Sequence, residues 1–175
     1  LYTDFDTWKA AAGETINTKY FGFEQYEFID ALTLDGGTRL KFSEQTRTHQ
    51  DGLPWGGDSH GLVADIVGGG VYTISFLDNA AAVGFWVNAQ GGSAHLSFAG
   101  IDQSISIPAG TTQFIGWVGR NMSAITITSP DEFANFFFGD FYEGAGATPV
   151  PEPAPLLLLG LGWLAWLGAR KPRSA

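Results

Sequence analysis

The stretch Val71-Tyr-Thr-Ile-Ser-Phe-Leu77 alternates with period two, and so does the one that follows it, where Val83, Phe85 and Val87 are set against Gly84, Trp86 and Asn88. Both runs are rich in β-branched and aromatic residues, which fit a pleated and half-buried surface. They predict strands. The pattern extends downstream to strands at 94–98, 103–107, 113–118, 124–128 and 135–142, separated by turn formers such as Gln90-Gly-Gly92, Pro108-Ala-Gly110 and Ser129-Pro-Asp131. Upstream, Asp4 or Asp6 can cap a short helix over residues 5–12 that Gly13 closes, with Phe5 and Trp8 three apart on one face. Short strands with frequent turns and no second helix predict a mainly β fold, an antiparallel β-sandwich or jelly roll.

Composition narrows the functional classes. The chain has 175 residues, a net charge of −9, no cysteine, 24 glycines and only 15% charged residues. An acidic chain lacks the Lys and Arg footprint that phosphate binding needs, so nucleic acid is not an expected partner. Without cysteine there is no disulfide scaffold, thiol catalysis or cysteine-bound zinc. The charge is unevenly spread: residues 1–148 carry six basic and 17 acidic side chains, a balance of −11, whereas 149–175 carry Glu152 against Arg170, Lys171 and Arg173, a balance of +2.

That second part differs from the body in kind. Leu156, Leu157, Leu158, Leu159, Leu161, Trp163, Leu164, Trp166 and Leu167 lie in an uncharged run that ends at Arg170-Lys-Pro-Arg173. A helix over 156–169 would be about 21 Å long, short of the roughly 30 Å hydrocarbon core. It would be apolar all round, however, and the basic end can snorkel to lengthen its span. A buried helix of a soluble domain would keep a polar face instead. The sequence therefore predicts one transmembrane helix. The positive-inside rule places 170–175 in the cytoplasm and the acidic body on the periplasmic or extracellular side of a bacterial membrane. A first residue other than Met fits prior removal of a signal peptide. The expected organisation is an exported domain over 1–144, a linker over 145–155, the membrane helix over 156–169 and the basic end.

Val150-Pro-Glu-Pro153, followed by the Leu- and Gly-rich run and a terminal basic cluster, resembles the PEP-CTERM sorting signal of exported Gram-negative proteins. The resemblance covers residues 150–175. It implies that Pro151, Glu152 and Pro153 form a sorting motif recognised by an exosortase, a membrane protease-transpeptidase. Pro155 and the Pro172 that interrupts the basic end depart from the usual pattern. The body resembles the β-sandwich domains that often precede such tails, through residues 5–12, Phe23-Glu24, Ala82-Val-Gly-Phe85 and Asn135-Phe-Phe-Phe-Gly-Asp140. That likeness implies a structural Ca²⁺ between early and late carboxylates, with Glu24 and Asp140 as its ligands.

Assembled chemistry is scarce in the body. His49, His60 and His95 have no metal-ligand spacing, and no Gly-x-Ser-x-Gly elbow accompanies Asp58-Ser-His60. The expectation is a non-enzyme. The most suggestive segment is the loop over 51–61, where Trp55 could stack on a sugar while Asp58 and His60 bind its hydroxyls; the competing reading is an ordinary loop whose Trp covers the sandwich end. In Asn135-Phe-Phe-Phe-Gly-Asp-Phe-Tyr142, strict alternation puts Phe136, Phe138 and Tyr142 on one face and Phe137 and Phe141 on the other. One set belongs in the core; the other needs cover from the first helix or a partner near the membrane. Three functions follow as expectations: a membrane-anchored exported interaction protein, an accessory structural subunit of a large membrane complex such as a photosynthetic reaction-centre or antenna assembly, or a carbohydrate-binding module.

Overall fold

The structure is a computed structural model and describes residues 1–18, 27–49, 61–67, 70–78, 80–119, 122–131 and 133–145. Among the described residues, one helix, α1 (Phe5–Ala12), precedes eleven strands: β1 (Thr15–Thr18), β2 (Phe28–Thr33), β3 (Arg39–His49), β4 (Gly61–Val67), β5 (Val71–Phe76), β6 (Ala82–Ala89), β7 (Ala94–Ala99), β8 (Gln103–Ile107), β9 (Thr112–Val118), β10 (Ala124–Thr128) and β11 (Phe133–Gly144). All pairings are antiparallel. The strands form one sheet in the order β8-β7-β10-β5-β3-β4-β11-β6-β9, with β1 beside β11 and β2 beside β3. The two layers of the expected sandwich are two halves of this single sheet, which curls into a nearly closed, barrel-like wall.

Two long strands make the corners. Residues 40–42 of β3 pair with β5, whereas 47–49 pair with β4, and β2 follows the opposite edge with a register shift between Ile29 and Ala31. β11 pairs with β4 through Gly139 and with β1 from Phe141 onward, while β6 runs along its other edge. The register of β11 against β6 slips by one residue between Gly139 and Tyr142, and Asp140 there has φ 46°. An extra residue in one strand reverses which face the following side chains occupy. Phe141 consequently joins Phe136 and Phe138 in the core, and Tyr142 turns outward toward α1. Strict alternation over 135–142 is thereby corrected: the bulge exchanges the places of Phe141 and Tyr142. Phe137 is half-buried on the outer face, with its ring 5.6 Å from that of His49.

Inside the wall, Leu40, Ile74, Phe85, Leu96, Ile115, Ile127 and Phe138 belong to one continuous core drawn from both halves. α1 closes the outer face of β6, β9 and β11, so of the two covers open to the 135–142 strand the structure shows the helix. Asp4 is its N-cap, accepting from the Thr7 N–H at 2.8 Å, and Gly13 ends it at φ 78°. Trp8, fully buried, lies on the cross-strand pair Gly84 and Gly116, and its indole N–H donates to the Trp117 carbonyl at 3.0 Å. A Cβ on Gly116 would stand 2.5 Å from the indole, so only glycine leaves room for it.

Among the described residues, no helix is long and apolar enough to cross a membrane. The predicted transmembrane helix over 156–169, the Pro-Glu-Pro motif and the basic end all lie outside the described residues.

Candidate functional site

Three parts of the described molecule gather polar groups. The first is a cleft of about 590 Å³ where β11 ends, between the β2–β3 turn and the segment linking β5 to β6. Its carboxylates are Glu14, Asp78 and Glu143. Glu143 is buried and accepts from the backbone N–H groups of Gly36 and Thr38, the latter at 2.9 Å, so its charge clamps the turn. Asp78 accepts from Arg39 Nε and Nη2, each at 2.9 Å, and from the Arg39 backbone N–H. Those bonds hold its carboxyl at about 2, below the usual aspartate range, and raise Arg39 in turn. Two of the three carboxylates therefore already have structural partners.

The second is the bulge. Asp140 is buried, and among the described residues its Oδ1 finds no hydrogen-bond partner; the same is true of the buried Oδ1 of Asn17 on β1. Both lie near Tyr142, whose hydroxyl is pushed up first by burial and then by the Asp140 charge, while Asn17 and Trp86 pull it down. Orphaned buried oxygens are the donors a hard cation takes, so Asp140 fits the Ca²⁺ that the sequence resemblance implies. Its implied companion Glu24 lies outside the described residues, and among those described no three His, Cys, Asp or Glu side chains gather as a metal cluster.

The third is a polar depression of about 380 Å³ on the outer face of β7, β8 and β10. His95, Ser97, Asp102, Gln103, Ser104 and Thr126 line it. It exists because β7 alternates strictly, with Leu96 and Phe98 in the core and His95, Ser97 and Ala99 outside. His95 is thus a surface residue, its Nδ1 3.1 Å from the Ser106 hydroxyl. The sequence marks His95 as a strand residue but gives no sign that it shares a basin with Asp102, because that meeting depends on the pairing of β7 with β8. The loop residues Trp55, Asp58 and His60 lie outside the described residues.

No protein-family model matches the chain, and no curated protein matches it. Solved structures overlap with it in part. A protein of unknown function from Acidithiobacillus ferrooxidans (DUF1255) is 15% identical, with 71% of this chain and 94% of that one covered and a TM-score of 0.36. The enzymatically active domain of bacteriophage CBA120 tailspike protein 4 is 18% identical over 74% of this chain and 21% of that one, with a TM-score of 0.41. A family 29 carbohydrate-binding module variant complexed with cellulohexaose is 11% identical over 75% of this chain and 92% of that one, with a TM-score of 0.40. Overlaps of this size assign neither a family nor an activity.

Proposed function

We propose that the chain is a non-enzymatic, exported interaction domain held to a bacterial membrane by its C-terminal apolar segment, with a PEP-CTERM-like sorting motif between the two. The observation that carries this reading is the order of parts at the end of the chain. β11 is hydrogen-bonded on both edges up to Gly144, and the Ala145 N–H still reaches the Glu14 carbonyl at 3.2 Å. Directly after this fixed point come the Val150-Pro-Glu-Pro153 motif, the uncharged run and Arg170-Lys-Pro-Arg173. A domain anchored at that end would present its β-sheet surface to partners outside the cytoplasm.

The test is alkaline extraction of native membranes joined to intact-mass measurement. Full-length chain should stay with the membrane, and Leu159→Arg with Leu164→Arg should release it, since each central arginine costs about 2.5–3.5 kcal/mol of insertion. Extraction of the unaltered chain into the soluble fraction would defeat the anchor. A mass ending at the Pro-Glu-Pro motif supports exosortase processing. A full-length mass co-purifying with fixed membrane partners favours the accessory-subunit reading instead.

We also assign Asp140 as a ligand of a structural Ca²⁺, on the strength of its orphaned buried oxygen. Millimolar Ca²⁺ should raise the melting temperature by several degrees over chelated protein, because a ligand that binds only the folded state stabilises it by mass action. Asp140→Asn should remove that difference. An identical melt with and without chelator would refute the assignment.

A further inference from the structure

The depression on β7, β8 and β10 continues across the sheet as a row of hydroxyls. Ser104 on β8 is paired with Ser97 on β7, Ser97 with Thr126 on β10, and Thr126 with Thr73 on β5. The Thr73 N–H in turn donates to the Ser43 hydroxyl of β3 at 2.8 Å, which adds a fifth hydroxyl in line. Neighbouring strands stand about 4.8 Å apart, so the row presents one hydroxyl per strand at that interval, perpendicular to the strands. Among the described residues, no hydrogen bond occupies the side-chain hydroxyls of Ser97, Ser104, Thr126 or Thr73.

Asp102 fixes the chemistry at one end. It lies in the β7–β8 turn at φ 46° and lines the depression beside Gln103 and His95. A carboxylate, an amide, an imidazole and a row of hydroxyls together offer both donors and acceptors at close intervals. An anion would meet the Asp102 charge on a domain that is already strongly acidic. A cation would meet a single carboxylate. An apolar partner would strip water from the hydroxyls without replacing their hydrogen bonds. A neutral polyol meets none of these costs. Val71, exposed next to Thr73 on the same face of β5, supplies an apolar contact for the C–H face of a sugar ring.

We propose that this outer face, from Asp102 and Ser104 across Ser97 and Thr126 to Thr73, binds an extended neutral β-linked polysaccharide, one sugar residue per strand. The inter-strand interval is close to the advance per sugar along such a chain, so successive residues fall on successive strands and each meets a hydroxyl. The site rests on the interaction-domain reading, of which it names the partner class, and does not depend on the membrane anchor.

Affinity electrophoresis of the full chain in a detergent without a sugar headgroup tests it. Hydroxyethyl cellulose serves as the extended neutral β-glucan, glycogen as an α-linked neutral glucan and alginate as an anionic one. Hydroxyethyl cellulose should retard the protein, and the other two should not. Thr73→Val with Thr126→Val removes two hydroxyls while keeping side-chain shape and strand preference; it should weaken retardation about tenfold with an unchanged melting temperature. Asp102→Asn, which tolerates the same backbone angles, should weaken it as well and serves if the double variant melts early. Absence of retardation, retardation by alginate or glycogen alone, or retardation that survives both variants and is lost only in Trp55→Ala would overturn the site. Alkaline extraction of the same preparation reads the anchored-domain proposal separately, so either can fail without the other.

Discussion

Trp8 joins the helix to the sheet. Its ring stacks near Phe5 at 6.2 Å, packs against Phe114 at 5.4 Å and rests on two strand positions that have no Cβ. Its only polar atom is satisfied by the Trp117 carbonyl, so burial leaves no orphaned donor. Trp8→Ala should cost about 3–5 kcal/mol, the usual range for truncating a buried aromatic, measured by chemical denaturation. A large share of a domain's total stability is at risk, since that total is typically about 5–15 kcal/mol. Gly116→Ala should destabilise by the opposite route, through a methyl forced into the indole; a variant as stable as the parent would disprove the shelf. The exposed pair of Arg39 and Asp78 predicts a weaker effect that depends on pH. The Asp78 pKa is depressed on folding, from 3.8 to about 2, so its contribution is present above 3.8 and is lost as pH falls through about 2. Asp78→Asn should flatten the fall in melting temperature over that window, and an unchanged acid profile would contradict the assignment.

At the scale of elements, β11 shows how a single backbone irregularity redistributes a whole strand. Had β11 been regular, Phe141 would face α1 and Tyr142 would sit in the core, with its hydroxyl needing a partner there. Asp140 at φ 46° prevents this, because a short polar residue tolerates the left-handed region better than a β-branched one. Asp140→Gly should therefore keep the fold and lose any calcium response. Asp140→Val should lower the melting temperature well beyond Asp140→Gly; equal melts would show that the bulge is not held by this residue. The strands from β5 to β11 were legible from alternation because each packs one apolar face on the core. β3 and β4 were not, and the reason is visible in β3: its second half buries Thr46 and Thr48 where a pattern reader expects Val or Leu. Thr46 shares a hydrogen bond with the Tyr72 hydroxyl, and Thr48 donates to the Glu27 carbonyl at 3.2 Å, so these interior positions are polar yet satisfied. The one-residue slip in β11 was equally hidden, since an aromatic on either face fits both registers. The polar depression was hidden for another reason: the residues lining it come from separate strands, and only the order β8-β7-β10-β5 sets their hydroxyls in line.

At the scale of the molecule, the curled sheet has a consequence that a two-sheet sandwich would not share. β3 carries ladders to β2, β4 and β5, β11 carries ladders to β1, β4 and β6, and the core side chains of the sheet form one cluster. Neither half can open without breaking the backbone ladder of a corner strand and exposing apolar surface of the other. The smaller cluster under α1 is tied to the same unit through the Trp8 to Trp117 hydrogen bond and the fully buried Ala82. Unfolding should then be a single cooperative transition, as for most small domains with one core. Far-ultraviolet circular dichroism reports the sheet, and tryptophan fluorescence reports all six tryptophans, among them Trp8 outside the wall and Trp117 within it, so the difference between the parent and Trp8→Phe isolates the share of the helix. Their denaturation curves should coincide in midpoint and slope. A fluorescence change that precedes loss of the sheet, and that disappears in Trp8→Phe, would mean that α1 detaches first and that the helix is an appendage of the domain. Coincident curves would mean that the helix, both halves of the sheet and the fixed end of β11 form one body.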